Sequence, residues 1–252
     1  MGKEEEVIEV ASRICNRKGR ACLCLTVVFS FLFFWSKGLC YDFELWDHGP
    51  TGHDTVLIHA ELDERPLFLY FHVKGDKLCE RMDRAYLQAS QVENYLRDLY
   101  KVELDPTRGE DEKALAQRYG VKNYPAFLMT IPAFKIKPVR VHPFFKDRDM
   151  SIDEFLQAIR NKIAFMYGKK AFSFYEARQY DGALKYYRMI LDYSPGDVYA
   201  YYAMGVVYHT MGVELKERKY LKEAEKMLMK ALDIEPGHKE SREELAKLRS
   251  RH

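Results

Sequence analysis

Cys79 is the residue of this chain with the most distinctive chemical potential, because it is the one cysteine after residue 40. A cysteine acts as a nucleophile only as its thiolate, and a helix N-terminus stabilises the thiolate mostly within the first turn. Cys79 follows Asp76 by three residues, where apolar residues begin to recur at helical spacing. An enzyme that exchanges disulfides within one site needs two sulfurs, and this segment carries one. The spacing therefore argues against disulfide exchange here.

The remaining cysteines precede the segments with strand and helix patterns, at Cys15, Cys22, Cys24 and Cys40. They do not form a disulfide framework, and no Cys/His spacing in the sequence matches a zinc site. We therefore expect neither a metal nor a cofactor. The formal net charge is +2, which gives no strong field for nucleic acid, so nucleic acid is not an expected partner.

Strand and helix patterns alternate from Thr55 to about Lys162. The run Pro66–Phe71 is continuously apolar, which is typical of a central strand buried on both faces. Further strands are predicted at Tyr100–Leu104 and Ala126–Met129. Helices are predicted from Asp76, over Lys113–Gly120, and from a capping box at Ser151 and Glu154 through Ile163. The order of elements is strand, helix, strand, helix, strand, strand, helix.

The segment from Tyr70 to Cys79 resembles the thioredoxin pattern, in which an apolar strand runs into Trp-Cys-x-x-Cys. In this resemblance Cys79 takes the second, resolving position. Asp76 stands at the first, nucleophilic position, and Gly75 stands where the family has Trp. The resemblance implies a thioredoxin-like α/β domain, over residues 42–163, that lacks the first active-site cysteine.

Two further segments are similar to the same family. Cys79–Asp83 resembles the helix after the active site, where Cys is followed by x-x-Met, and Tyr119–Pro125 is similar to a Tyr-Gly-Val-x-x-x-Pro segment. The family carries a cis-proline there, facing the active site. Because the cis isomer is affordable essentially only at proline, Pro125 is the candidate cis-proline.

Asp76 has two compatible interpretations. It caps the helix, since Asp accepts hydrogen bonds from free N–H groups at a helix start, and it marks a site that has lost dithiol chemistry. Cys79 is interpreted as a structural thiol, with a thiol that forms mixed disulfides as the alternative. His72 lies on the preceding strand and is not expected to be catalytic.

Residues 1–41 are predicted to be a signal peptide or a membrane anchor. The uncharged run Ala21–Trp35 is 15 residues long and follows several basic residues, whereas a spanning helix uses about 20 apolar residues. The run can be extended past Lys37 to Tyr41. We expect membrane contact through residues 21–41, with cleavage and anchoring both open. The folded domains are expected on the non-cytoplasmic side, in a periplasm or secretory compartment.

The rest of the chain repeats itself. Tyr167, Ala171 and Phe174 recur 34 residues later as Tyr201, Gly205 and Tyr208, and Ala183 and Pro195 recur 41 residues later as Ala224 and Pro236. These positions resemble the aromatic, small and proline positions of the tetratricopeptide repeat, a helix–turn–helix unit of 34 residues. The resemblance implies all-α repeats over 164–252, at about 164–197 and 198–238, followed by a capping helix. The difference of seven residues indicates an insertion near 213–219 or longer helices in the second repeat.

Repeats of this family bind peptides or proteins in a concave groove, and no catalysis is implied. Several aromatic residues are candidates for that groove, with packing in the helical core as the alternative: Tyr167, Phe174, Tyr175, Tyr201, Tyr202 and Tyr208.

The leading hypothesis is an exported or membrane-anchored adaptor that joins a redox-inactive thioredoxin-like domain to a partner-binding repeat module. The alternative is a single-cysteine oxidoreductase or chaperone that acts through mixed disulfides of Cys79. A third hypothesis is a structural subunit whose repeats complete a larger array.

Overall fold

The structure is a computed structural model that describes residues 45–145 and 148–250. Within these residues it contains five β-strands and nine α-helices. In chain order they are β1 (Asp47–His48), α1 (Gly49–Leu62), β2 (Leu67–Phe71), α2 (Lys77–Met82), α3 (Ser90–Leu96), β3 (Tyr100–Leu104), α4 (Glu110–Arg118), β4 (Ala126–Thr130), β5 (Val139–Val141), α5 (Ile152–Glu176), α6 (Tyr180–Tyr193), α7 (Val198–Glu214), α8 (Arg218–Ile234) and α9 (Lys239–Ser250). A π-helical turn (Asp83–Leu87) continues α2, and a 3-10 turn (Pro132–Phe134) follows β4.

The predicted apolar strand, β2, lies at the centre of a sheet with the order β1-β3-β2-β4-β5. It pairs in parallel with β3 and antiparallel with β4. All five of its residues are buried. On one face the sheet shares a core with Val56 of α1 and Leu115 of α4, and on the other Phe155 of α5 packs on Phe127 of β4, with ring centroids 5.8 Å apart. A strand covered on both faces reads as an unbroken apolar run.

The sequence patterns did not predict β1 or α1. Helix α1 lacks a continuous apolar stripe, because its buried residues are His53, Val56 and Ala60. The ring nitrogens of His53 lie 2.8 Å from Asp54 Oδ1 and 2.8 Å from Tyr119 Oη. A buried histidine with both nitrogens hydrogen-bonded is compatible with a core position, but hydrophobic periodicity does not detect it.

Helix α5 begins at the predicted capping box. Ser151 Oγ accepts a hydrogen bond from the Glu154 amide (3.2 Å), and Glu154 Oε2 accepts one from the Ser151 amide (2.8 Å). The helix does not end at Ile163, as predicted, but extends to Glu176 and has 25 residues in all. The boundary expected between residues 163 and 164 therefore lies inside one helix, and the described residues belong to one compact unit.

The helices that follow pair as the repeat spacing predicts. The second half of α5 packs with α6, α7 packs with α8, and α9 follows as the predicted capping helix. Helices α7 and α8 have 17 residues each, whereas α6 has 14. The extra residues of the second repeat are thus taken up by longer helices.

Glu64, just after α1, joins the sheet to the repeat helices. Its backbone carbonyl accepts a hydrogen bond from Tyr167 Oη (2.7 Å), and its carboxylate accepts one from Tyr186 Oη (3.0 Å) and pairs with Lys185. Burial alone would raise the pKa of Glu64, but the hydrogen bonds from Lys185 and Tyr186 bring it below its ordinary value. Phe134 packs edge-on against both tyrosine rings, with centroids 5.6 and 5.5 Å away.

No helix within the described residues has the length and apolarity required to cross a membrane. The predicted leader, residues 1–41 with membrane contact through 21–41, lies outside these residues.

Candidate functional site

Cys79 lies in the first turns of α2 and is 1% exposed. Its sulfur accepts a hydrogen bond from the Val73 amide at 3.4 Å. Burial raises the pKa of the thiol to about 12, and the nearby carboxylates of Asp76 and Asp83 also raise it, although the Val73 amide acts in the opposite direction. Reactive cysteines have lowered pKa values and partial exposure, so this thiol is held in its unreactive protonated form.

Asp76 is the N-cap of α2. One carboxylate oxygen, Oδ1, accepts hydrogen bonds from the amides of Leu78 and Cys79, each at 2.9 Å. The bond from the Cys79 amide is the main cause that lowers the pKa of Asp76. The residue at the nucleophilic position of the family pattern therefore stabilises the start of a helix.

Pro125 lies at the same end of the sheet. The Tyr124–Pro125 peptide bond is cis, and the next residue, Ala126, pairs with Phe71 at the end of β2. Residues 72–75 connect Phe71 to Asp76 and α2. The register thus places the proline beside the end of β2 that leads to Asp76 and Cys79.

A buried polar cluster lies beside these residues, and sequence reasoning missed it. Glu103 of β3 is 1% exposed. It hydrogen-bonds His72 through Oε1, His48 Nδ1 through Oε2 at 3.0 Å, and Arg108 at 3.4 Å. Burial alone would raise the pKa of Glu103, but the hydrogen bonds from the two histidines lower it to about 2. Glu103 is therefore ionised, and these ring nitrogens donate to it.

The same cluster continues towards α2. The Tyr70 ring stacks on His72 with centroids 5.1 Å apart, and its hydroxyl donates to Asp83 Oδ1 at 2.7 Å. Burial raises the pKa of Asp83, and the charge of Glu103 adds to this effect. Among the described residues, no histidine nitrogen hydrogen-bonds the thiol of Cys79. The cluster holds together the ends of β2 and β3, and it does not supply the adjacent base that activates a nucleophilic cysteine.

The part of the chain that the structure describes contains no group of three or more His, Cys, Asp or Glu side chains placed to hold a metal ion.

Comparison with known proteins gives likenesses to both halves of the chain. No protein-family model matches it, and no curated protein matches it. A solved thioredoxin from Thermus thermophilus is 24% identical, over 46% of this chain and 85% of that chain, with a TM-score of 0.36. The C-terminal tetratricopeptide-containing domain of a Plasmodium falciparum FK506-binding protein is 19% identical, over 43% of this chain and 67% of that chain, with a TM-score of 0.31.

The first tetratricopeptide domain of Spaghetti, solved with a bound HSP90 peptide, is 20% identical, over 36% of this chain and 93% of that chain, with a TM-score of 0.19. Within the chain itself, the sequence of elements from β2 to α5 and the paired repeat helices agree with what the sequence motifs predicted, whereas β1 and α1 were not predicted. The described residues form a mixed five-stranded sheet with flanking helices, followed by paired helices. This is the arrangement that the two resemblances implied, and we refer to its parts as the thioredoxin-like domain and the repeats.

The aromatic candidates for a binding groove all take part in packing of the repeats. Tyr167 is fully buried at the junction with the thioredoxin-like domain, so it is not on an open groove. Phe174 packs against Gly182, where an added Cβ would lie 2.3 Å from the ring. Tyr175 Oη lies 3.1 Å from Thr210 Oγ1, which joins the first helices of the two repeats.

The other three candidates are partly buried. The ring of Tyr201 lies beneath Lys230 Nζ at 5.5 Å, and that of Tyr202 packs on His238 at 5.5 Å. Tyr208 Oη accepts a hydrogen bond from Arg188 at 2.8 Å. All three contact neighbouring repeat residues, so their first role is in the packing of the helices.

The exposed aromatic residues of the repeats were not among these candidates. Phe165, Phe172 and Tyr199 are 60%, 52% and 67% exposed. Phe165 and Phe172 are seven residues apart on α5, with Lys169 between them on the same face. Their spacing in the sequence was a usable signal, but it falls outside the repeat pattern that selected the other residues.

Proposed function

We propose that the protein is a protein-interaction adaptor, in which a redox-inactive thioredoxin-like domain and tetratricopeptide repeats together bind a protein partner. The observation that carries this proposal is the condition of Cys79. It is buried, its pKa is raised to about 12, and its neighbour at the nucleophilic position is the capping residue Asp76. The same features disfavour the alternative of mixed disulfides at Cys79, since the attacking group in thiol exchange is an accessible thiolate.

The redox part of the proposal is tested by an insulin-reduction assay on the full chain. We expect wild-type turnover equal to that of Cys79→Ser, with Asp76→Cys as a positive control that restores two thiols at the site. The Cys79→Ser comparison removes any contribution of the cysteines in the first 40 residues. Turnover that depends on Cys79 in the wild-type chain would contradict the proposal.

Direct alkylation gives a second measurement. Peptide mapping after iodoacetamide treatment at pH 8 should show Cys79 labelled at least about 100-fold more slowly than a free cysteine, because little thiolate forms. Equal labelling rates would show that the thiol is available. Partner capture by the full chain should be the same for wild type and Cys79→Ser, and a capture lost in the variant would favour the mixed-disulfide alternative.

We extend the proposal to export or membrane anchoring, with the folded domains on the non-cytoplasmic side. Its support is the apolar run within residues 21–41 and the basic residues that precede it. N-terminal sequencing of membrane-fraction protein distinguishes a cleaved signal from an anchor. An intact start on protein found outside the membrane fraction would contradict both.

A further inference from the structure

A surface cleft lies where the thioredoxin-like domain meets the repeats. Its volume is about 430 Å³. One wall comes from the segment between β4 and β5, and the other comes from the second half of α5. The lining residues are Phe134, Ile136, Lys137 and Val139 on the first wall, and Phe165, Met166, Lys169, Lys170 and Ser173 on the second. We call this feature the α5 cleft.

The floor of the α5 cleft is apolar and held in place. Phe134 packs edge-on against Tyr167 and Tyr186, and Met166 is 2% exposed. Phe165 stands at the rim with 60% of its surface open to solvent. A concave apolar surface beside an exposed aromatic side chain is the type of site that accepts an apolar side chain of a partner.

The charged groups of the α5 cleft are all positive. Among the described residues, Lys137, Lys169 and Lys170 form no ion pair within 4 Å. Lys169 Nζ lies over the Phe165 ring at 5.6 Å, and Lys170 Nζ lies over the Phe134 ring at 5.7 Å. Ring faces attract ammonium groups but carry no net charge. The charge of Lys170 also acts on the Glu64 carboxylate and helps to lower its pKa, so the positive charge open to a ligand lies mainly at Lys137 and Lys169.

A neighbouring cleft extends this basic surface. It has a volume of about 550 Å³, shares Ile136 and Lys137 with the α5 cleft, and adds Arg118 and Lys135. Glu61 is the one carboxylate among its lining residues. An extended chain that leaves the α5 cleft across Lys137 thus continues to meet positive groups.

We propose that the α5 cleft binds an acidic segment of a partner protein, with one apolar side chain of the segment in the cleft and carboxylates on either side. The proposal rests on the proposed adaptor function and assigns its partner-binding site. Charge complementarity selects the acidic segment, and the concave apolar floor fits one side chain of a peptide. A single-stranded nucleic acid would instead stack its bases on an exposed ring such as Phe165, and the test below distinguishes the two.

The two walls of the cleft come from different modules. Phe134 and Val139 belong to the thioredoxin-like domain, whereas Phe165 and Lys169 belong to the part of α5 that opens the repeats. Neither module alone would form both walls. Phe155 in the first half of α5 packs on Phe127 of β4, which fixes the second half of the helix relative to the other wall and lowers the conformational cost of binding.

The test uses the full chain and short fluorescein-labelled peptides, followed by fluorescence anisotropy. The probe has a central Phe flanked by Glu and Asp on both sides. One matched peptide replaces the acidic residues with Gln and Asn, and another replaces the Phe with Ser. We expect the probe to bind at least about tenfold more tightly than either matched peptide, with an affinity that falls as salt is raised.

Two variants test the cleft, and two matched variants serve as controls. Lys137→Glu combined with Lys169→Glu, and separately Phe165→Ser, should each weaken probe binding by about tenfold or more. Lys222→Glu changes an exposed lysine of α8, and Tyr199→Ser changes an exposed aromatic residue of α7, and both lie outside the cleft. Both controls should bind the probe as the wild type does. Circular dichroism checks that every variant is folded.

Several results would overturn the proposal. These are no binding of the probe, equal binding of the neutral peptide, or equal losses in the control variants. Stronger binding of a short oligonucleotide at the same site would identify a different ligand. Tighter probe binding after Glu4, Glu5 and Glu6 are replaced with Gln would identify the acidic start of this chain as the occupant. Each of these results leaves the insulin and alkylation results for Cys79 untouched, so failure of the cleft is distinguishable from failure of the proposed function.

Discussion

At position 76 the helix start needs a hydrogen-bond acceptor, and at position 79 the protein interior needs a small apolar group. Asp76 accepts from two amides of α2, and Cys79 fills a buried site with a protonated thiol. Each residue satisfies its local requirement, and neither is arranged to produce a thiolate. Asp76 and Cys79 therefore have structural roles at the start of α2.

The cap at Asp76 gives a prediction at the scale of single residues. Asp76→Ala should destabilise the protein by about 1 kcal/mol, because the amides of Leu78 and Cys79 lose their acceptor. Asp76→Asn keeps an acceptor and should lose less. Urea denaturation at pH 7 measures both free energies of unfolding, and equal stability of the wild type and Asp76→Ala would contradict the assigned role.

The pH dependence of the same variants has a defined sign. The pKa of Asp76 is lower in the folded protein than its ordinary value of 3.8. The stabilisation by the charged carboxylate is thus present above that value and is lost as pH falls through the folded pKa. The advantage of the wild type over Asp76→Asn should shrink in that range, and an advantage that grows on acidification would contradict the assignment.

At the scale of helices, the repeats depend on close approach at small residues. Gly205 of α7 faces Leu228 of α8, and a Cβ at Gly205 would lie 2.7 Å from Leu228 Cγ. Gly168 of α5 has no such neighbour within 4 Å of an added Cβ. The same residue type therefore has a packing role in α7 and none in α5.

This difference predicts opposite effects of two substitutions. Gly205→Val should destabilise the protein by about 1–3 kcal/mol through overpacking against Leu228. Gly168→Ala should stabilise it by about 0.5–1 kcal/mol, because alanine is the better helix former. Thermal denaturation followed by circular dichroism compares the two, and destabilisation by both would show that Gly168 also has a packing role.

At the scale of the whole molecule, α5 belongs to both domains. Its first half covers the sheet through Phe155, and its second half begins the repeats. Glu64 adds contacts between the two domains through Tyr167, Tyr186 and Lys185. A shared helix and a shared buried junction should make the two domains unfold together.

The prediction is a single cooperative transition for the wild type. Trp46 is buried in the thioredoxin-like domain, so its fluorescence in a Trp35→Phe background reports that domain, while circular dichroism at 222 nm reports mainly the helical repeats. The two curves should coincide. Gly168→Pro should separate them, since a proline inside α5 costs about 3 kcal/mol or more and interrupts the helix. Gly168→Ala is the matched control, and separate transitions in the wild type would contradict the coupling.

Features that depend on residues close together in the chain were predictable. The apolar run of β2 is long enough to identify a central strand. The Ser151–Glu154 capping box identifies the start of α5, and Asp76 identifies the start of α2, which it caps. The spacing between Tyr167 and Tyr201 identified the repeats, because each repeat presents the same side chains to its neighbour.

Other features could not be predicted because their partners are distant in sequence. His53 is buried with a hydrogen bond to Tyr119, and Glu103 is ionised because His48 and His72 hydrogen-bond it. No pattern of neighbouring residues in the sequence predicts either contact. The continuation of α5 past Ile163 was missed because the repeat period suggested a new unit there.

The sequence by itself therefore determined the two kinds of domain, the single cysteine after residue 40 and the acceptor that caps its helix, since these follow from local composition and spacing. The tertiary structure alone decided that the thiol is buried with a raised pKa, because desolvation depends on packing from all sides. It also brought Phe134 of one domain beside Phe165 of the other. The cleft between them exists only once α5 has packed on the sheet and brought its second half beside the segment between β4 and β5.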